Sequence, residues 1–201
     1  MRLFLIRHGA VSPPRPGMFY GGTEVPLSVE GEAQARRAAA ALATEKVDHV
    51  VCSPLGRARF GAERVAEICG IGRPEVFEGL REIDRGRWLG LLPEEIEKQH
   101  PGDLKAHEAD PEAWTGHGGE SLGQLRDRVL AVRNGLLERW DGATVALVSH
   151  LWPTRALLAD ACGWGLERWG ELRVPTGSVS AIRRDPGGAR WEVVGEIGVQ
   201  P

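Results

Sequence analysis

Short unbroken apolar runs alternate with amphipathic stretches along this chain. Leu3-Phe4-Leu5-Ile6 is too short for a helix and β-favouring at Phe4 and Ile6, and it predicts a strand buried on both faces. Val47 to Cys52 and Val145-Ala146-Leu147-Val148 repeat that pattern, and Glu75-Val76-Phe77 is a further short strand. Helical patterns lie between them. Ser28 reads as an N-cap, with Glu30 and Glu32 at the positive helix end and an alanine-rich segment over 32–44. Arg57 opens a helix running to about Ile68, stopped near Gly70 and Gly72. Pro93 starts a short helix through Gln99. Over 121–140, Leu122, Leu125, Val129, Val132, Leu136 and Leu137 form one apolar face, and a last helix spans about 153–162. Segments 178–184 and 191–197 flank Pro186-Gly187-Gly188 and predict an edge hairpin. This alternation predicts an α/β fold, a three-layer sandwich with a mostly parallel central sheet.

The residues just past each strand carry the candidate chemistry. The first strand ends in Arg7-His8-Gly9, the second in Ser53-Pro54-Leu55-Gly56-Arg57, and the third in Ser149-His150. Ligands of open parallel sheets bind outside the carboxyl ends of the strands. If the three strands are parallel neighbours, Arg7, His8, Arg57 and His150 converge on one crevice suited to an anion. An arginine opening a helix is electrostatically misplaced unless an anion sits there. The long Pro- and Gly-rich loop 10–26 lies over the end of the first strand, 79–92 reads as a loop with short structure, and the polar 102–119 is a candidate lid.

The 201 residues suit a single domain over 1–201. A net charge of −3 gives no general attraction to nucleic acid or an anionic membrane, so anion affinity must be local. No apolar run reaches the ~20 residues needed to cross a bilayer, and the N-terminal run is too short for a signal peptide. Cys52, Cys69 and Cys162 are read as reduced, buried thiols of a cytoplasmic protein. His49, His100, His107 and His117 show no metal-ligand spacing and are expected at the surface. The late hairpin offers an edge for a homodimer.

Arg7-His8-Gly9, Ser53-Pro54-Leu55 with Arg57-Ala58, the Glu82 segment and Ser149-His150, in this order, resemble the histidine phosphatase superfamily, which includes the cofactor-dependent phosphoglycerate mutases. Within it, Tyr20-Gly21 with Val25-Pro26-Leu27, Glu82-Ile83-Asp84 with Gly86-Arg87-Trp88, and Gly119-Glu120-Ser121-Leu122 look like the alpha-ribazole phosphatases. The resemblance implies a phosphoglycerate mutase-like fold and a phosphomonoesterase with no metal or other cofactor, acting on a small-molecule phosphate ester such as alpha-ribazole 5′-phosphate. It implies His8 as nucleophile, Arg7, Arg57 and His150 as ligands of the phosphoryl oxygens, and Glu82 as proton donor to the leaving alcohol. Tyr20, Gly21, Trp88 and Leu151 fall in its substrate pocket. Departures from the family pattern at Ala10, Pro14, Leu89, Leu151 and Trp152 concern the leaving-group side.

The chemistry fits these residue types. Phosphoryl transfer spreads charge over equatorial oxygens, so positioning and positive charge dominate. Arginine grips two oxygens at once and stays charged. An imidazole nucleophile must be neutral, with its tautomer fixed by a bond at the other nitrogen. The proton donor must hold its proton near neutral pH, which requires a raised pKa. Other readings share these residues: a phosphoglycerate mutase, a non-catalytic phosphate-binding regulator, or a metallophosphatase using His8, His150 and carboxylates. Glu82, beside Glu78, Arg81 and Asp84, also fits a solvated charge cluster, and Tyr20 and Trp88 also fit core packing.

Overall fold

The computed structural model describes residues 1–185, 188 and 190–197. In chain order it contains β1 (Arg2–Arg7), α1 (Val29–Ala40), β2 (His49–Cys52), α2 (Gly56–Ile68), β3 (Glu75–Val76), α3 (Pro93–Gln99), α4 (Asp103–Ala109), α5 (Leu122–Arg139), β4 (Thr144–Ser149), α6 (Leu151–Cys162), β5 (Val179–Arg183) and β6 (Glu192–Ile197). One sheet takes up the strands in the order β3-β2-β4-β1-β5-β6. β1, β2, β3 and β4 run parallel, and β5 pairs antiparallel with both β1 and β6.

The alternation of side chains across a strand builds two cores. Leu3, Leu5, Val51, Val145 and Leu147 pack with α5 and α6 on one face. Phe4, Ile6, Val50, Cys52, Ala146 and Val148 pack with α1 and α2 on the other. The sheet is therefore the middle of three layers, and its central strands are buried on both faces as their uninterrupted apolar runs require.

Several boundaries differ from the sequence reading. α1 begins at Val29, capped by the Ser28 hydroxyl accepting from the Gly31 N–H, and ends at Ala40. Residues after it close in tighter turns, with Leu42 N–H donating to Ala39 O. α6 begins at Leu151, with His150 as N-cap. Pro153 then sits in the first turn, where a missing N–H costs nothing. The hairpin forms at the sheet edge, with a register shift between Ala181 and Ile182; Pro186 and Gly187 of its turn lie outside the described residues. Cys52 is buried, but Cys69 is only half-buried and Cys162 is exposed, because it closes the last turn of α6. No described helix is long and apolar enough to cross a membrane.

The chain leaves β1 through a tight crossing. A Cβ on Gly9 would collide with the backbone of Gly31, and one on Gly31 would collide with the backbone of Ala10. The segment after His8 thus lies flat against the start of α1, held also by the Ser28 N–H donating to Ala10 O at 2.9 Å. Overpacking against backbone forces shifts costing about 1–3 kcal/mol. Gly9→Ala is expected to lower the unfolding free energy by that order, read as a lower urea midpoint, and to reduce activity through His8. An unchanged midpoint would contradict the crossing.

Candidate active site

The parallel pairing of β1 with β4 sets Arg7 opposite Ser149, so His8 and His150 leave adjacent strands at the same height. Their rings meet edge-on with centroids 5.0 Å apart. β2 pairs with the other side of β4, Cys52 opposite Val148, and so delivers Ser53 and then Arg57 to the same end. His8, Arg57 and His150 are almost wholly buried, at 1%, 2% and 0% exposure.

The Nδ1 of His8 lies 2.7 Å from the Gly9 carbonyl. A carbonyl only accepts, so Nδ1 carries the proton and Nε2 keeps a bare lone pair. Burial, with the Arg57 and then Arg7 charges nearby, pushes the His8 pKa down to about 3. The ring is neutral at physiological pH. His150 places Nε2 2.7 Å from the Ser53 hydroxyl. Burial first, then His8, Arg57 and Arg7, hold its pKa well below the usual histidine value. Ser53 also accepts from the Leu55 N–H at 3.3 Å, which fixes it at the turn into α2.

Arg57 is anchored by the long loop it helps to shape: its Nη1 donates to Thr23 O at 2.6 Å and its Nη2 to Gly21 O at 2.8 Å. Gly21 sits at φ +42, against the Ile83 carbonyl, where a side chain has no room. The free N–H of Gly56 at the start of α2 is taken by the Glu24 carboxylate, so an acidic side chain meets that helix end. Arg7 donates through Nη1 to Val174 O at 2.6 Å. With those anchors made, Arg7 Nε, Arg57 Nε, His8 Nε2 and His150 Nδ1 are all buried with no hydrogen-bond partner among the described residues. Native interiors leave very few such atoms, and a cluster of them calls for a ligand.

Glu82 is 7% exposed, not part of a solvated charge cluster. Its Oε1 accepts from the Ile83 N–H at 2.9 Å and from the Trp152 N–H at 3.3 Å, at the N-terminus of α6. Burial raises its pKa, against the opposing pull of the Ile83 bond and of Arg85, Arg57 and Arg7. It shares a cleft of about 210 Å³ with Arg7, Phe19, Tyr20, Gly21, Arg85, Leu151 and Trp152. His8, Arg57 and His150 do not line this cleft, being nearly sealed from solvent, but Arg7 and Glu82 connect it to them.

Trp88 does not belong to the pocket. Its ring is buried among Phe19, His107, Trp114 and His117, and its indole N–H donates to Asp103 at 3.1 Å. His107 and His117 are correspondingly not surface residues: His117 is 1% exposed and accepts from the Gly119 N–H at Nδ1. The segment 102–119 is thus packed onto Trp88 rather than loose over the cleft. His49 stacks on Trp140 with centroids 3.9 Å apart. Sequence reasoning did not single out Ser53 or Arg85. Ser53 carried a signal, at a strand's carboxyl end beside Arg57; Arg85 carried none beyond its closeness to Glu82.

A mostly parallel sheet that gathers two buried imidazoles and two guanidiniums beyond its strand ends, with a buried carboxyl beside them, defines an α/β protein. The family model of the histidine phosphatase superfamily (branch 1) matches residues 3–197. The chain belongs to that superfamily. It is 31% identical to phosphoserine phosphatase 1 of Hydrogenobacter thermophilus, over 92% of this chain and 87% of that one. It is 31% identical to a probable phosphoglycerate mutase of Citrobacter koseri, over 98% and 90% of the two chains. The crystal structure of the alpha-ribazole phosphatase from Shigella flexneri matches with a TM-score of 0.86 and 27% identity, over 100% of both chains.

His8 and His117, whose pKa burial pushes down to about 4, both resist protonation in the native state while the unfolded chain takes up protons near 6.5. Their contribution to stability is whole above about pH 6.5 and is lost as the pH falls toward their native values. The urea midpoint should therefore drop between pH 7 and pH 4.5, and His8→Asn should flatten that dependence. A midpoint that rises on acidification would contradict the buried neutral rings.

Proposed function

We propose that this chain is a phosphomonoesterase that needs no metal and passes the phosphoryl group through a phosphohistidine on His8. The observation that carries the proposal is the set of four buried, unpartnered nitrogens on Arg7, His8, Arg57 and His150. A tetrahedral dianion offers oxygens to three of them and a phosphorus atom to the fourth.

In the first step the lone pair on His8 Nε2 attacks phosphorus, and the bond to the ester oxygen breaks. That oxygen departs with the bonding pair and takes a proton from Glu82. The Nδ1–H bond to Gly9 O persists and disperses the charge gained by the ring. In the second step water attacks the phosphohistidine, the Glu82 carboxylate takes its proton, and the P–N bond breaks, returning the pair to Nε2. Arg7 and Arg57 hold the equatorial oxygens throughout, where fixed positive charge is worth most in the transition state. His150 donates to a third oxygen from Nδ1 if its Nε2 accepts from the Ser53 hydroxyl. The same carboxyl serves as acid and then base because burial and the surrounding cations oppose each other at Glu82.

The substrate is a small-molecule ester, neither nucleic acid nor lipid surface. A reducing cytoplasm suits the three free thiols. Alpha-ribazole 5′-phosphate, phosphoserine and phosphoglycerates form the panel on which turnover is compared.

His8→Ala should abolish phosphate release while leaving the circular dichroism unchanged, and acid-labile label from a ³²P ester should appear on the wild type alone. Normal turnover by that variant would end the reading. Glu82→Gln should slow esters of poor leaving groups by about 10²–10⁴-fold while affecting p-nitrophenyl phosphate far less. Equal loss on both would remove Glu82 as acid. Isomerisation of 3-phosphoglycerate without phosphate release would replace hydrolysis by a mutase activity.

A further inference from the structure

The cleft contains a cation that the phosphoryl chemistry does not use. Arg85 is 4% exposed, lines the cleft beside Glu82 and Trp152, and makes no hydrogen bond or ion pair with its side chain among the described residues. Buried guanidiniums are normally paired, since an unpaired buried charge is costly. The neighbouring carboxylates are committed elsewhere. Glu120 is bound to Arg128, Asp103 to Arg87 and Trp88, Asp84 to the Gly86 N–H, and Glu82 Oε1 to two backbone N–H groups.

The guanidinium is also held in place. Its Cζ lies 5.4 Å from the Phe19 ring centroid and 5.3 Å from that of Trp152. The backbone behind it is pinned. Gly86 has φ +48, and a Cβ there would collide with the 117–119 backbone. The Trp88 N–H donates to Arg85 O at 3.0 Å. A long, entropically expensive side chain is thus preorganised without a protein partner for its fork among the described residues. A second guanidinium, Arg155, lies 5.0 Å from the centroid of the same Trp152 ring, with its Nε on Leu172 O at 3.2 Å. Arg7 and Arg57 suffice for a phosphoryl dianion; Arg85 adds positive charge to the cleft itself, and Arg155 lies against Trp152 of its lining.

We propose that Arg85 is a specificity residue that grips a carboxylate on the leaving alcohol, so that the preferred substrates are small phosphate esters of hydroxy acids. This rests on the phosphatase reading and narrows its substrate class. The planar fork of arginine matches a carboxylate with two parallel bonds. The cleft volume of about 210 Å³ lies below the about 300–1,000 Å³ of sites that enclose drug-sized ligands, which favours a short acid over a nucleoside.

Two esters that differ only at the proposed contact test it: 3-phosphoglycerate and glycerol 3-phosphate, which has a hydroxymethyl group in place of the carboxylate. Wild-type protein should favour 3-phosphoglycerate in kcat/KM. In Arg85→Gln the ratio of the two values should fall about 10- to 100-fold, the scale of a lost charged hydrogen bond. Arg85→Lys, which keeps the charge without the fork, should fall between the two. pH profiles on both esters separate this from an effect through Glu82. Loss of the Arg85 charge would raise the Glu82 pKa and shift both profiles alike, whereas the proposed contact alters the ratio at every pH. An unchanged ratio in both variants overturns the proposal. So does wild-type preference for glycerol 3-phosphate or alpha-ribazole 5′-phosphate over 3-phosphoglycerate. Wild-type protein that hydrolyses none of these esters removes the phosphatase reading itself.

Discussion

Everything at the site depends on the parallel pairing of β1 with β4. Because Arg7 lies opposite Ser149, the residues just beyond each strand emerge side by side, and the two imidazoles meet at 5.0 Å. A slip of one residue would turn Leu3 and Leu5 toward α1 and α2 and exchange the two cores. The hydrophobic pattern that makes the sheet thus also fixes the distance between His8 and His150. Stability and chemistry share one register.

Burial has a cost that the site converts into reactivity. Sealing His8 in the interior disfavours its cation, and Arg57 and Arg7 add to that, so the ring stays neutral with its lone pair free. Sealing Glu82 disfavours its anion and raises its pKa, against the pull of the Ile83 N–H and of Arg85, Arg57 and Arg7. The same desolvation acts in opposite directions on an acid and a base, as the proposed nucleophile and proton donor require. The cations are kept from collapsing onto Glu82 by backbone carbonyls: Val174 holds Arg7, and Gly21 with Thr23 holds Arg57.

Much of this was legible in the sequence, and for a physical reason. Central parallel strands must be apolar on both faces, so the runs at Leu3, Val47 and Val145 announced themselves, and the polar residues at their ends marked the crevice. Glu82 was placed by resemblance alone, since a charged residue among charged neighbours has no pattern that reveals burial. Trp88 was misplaced because closeness to Glu82 in sequence says nothing about which way a loop turns. Its partners His107, Trp114 and His117 come from a polar segment without periodicity, and only the packed aromatic cluster shows that they form a second, smaller core. Arg85 was hidden in the same way, its lack of an ion pair visible only once Glu120 is seen on Arg128 and Asp103 on Arg87.

The proposed chemistry turns on one atom, the bare Nε2 of His8. Site-specific ¹⁵N NMR of the histidine side chains, assigned with His8→Asn, reads the tautomer directly. The structure predicts that His8 is the neutral form protonated at Nδ1, with no titration between pH 5 and pH 8. A proton on Nε2, or an imidazolium at pH 7, would contradict it.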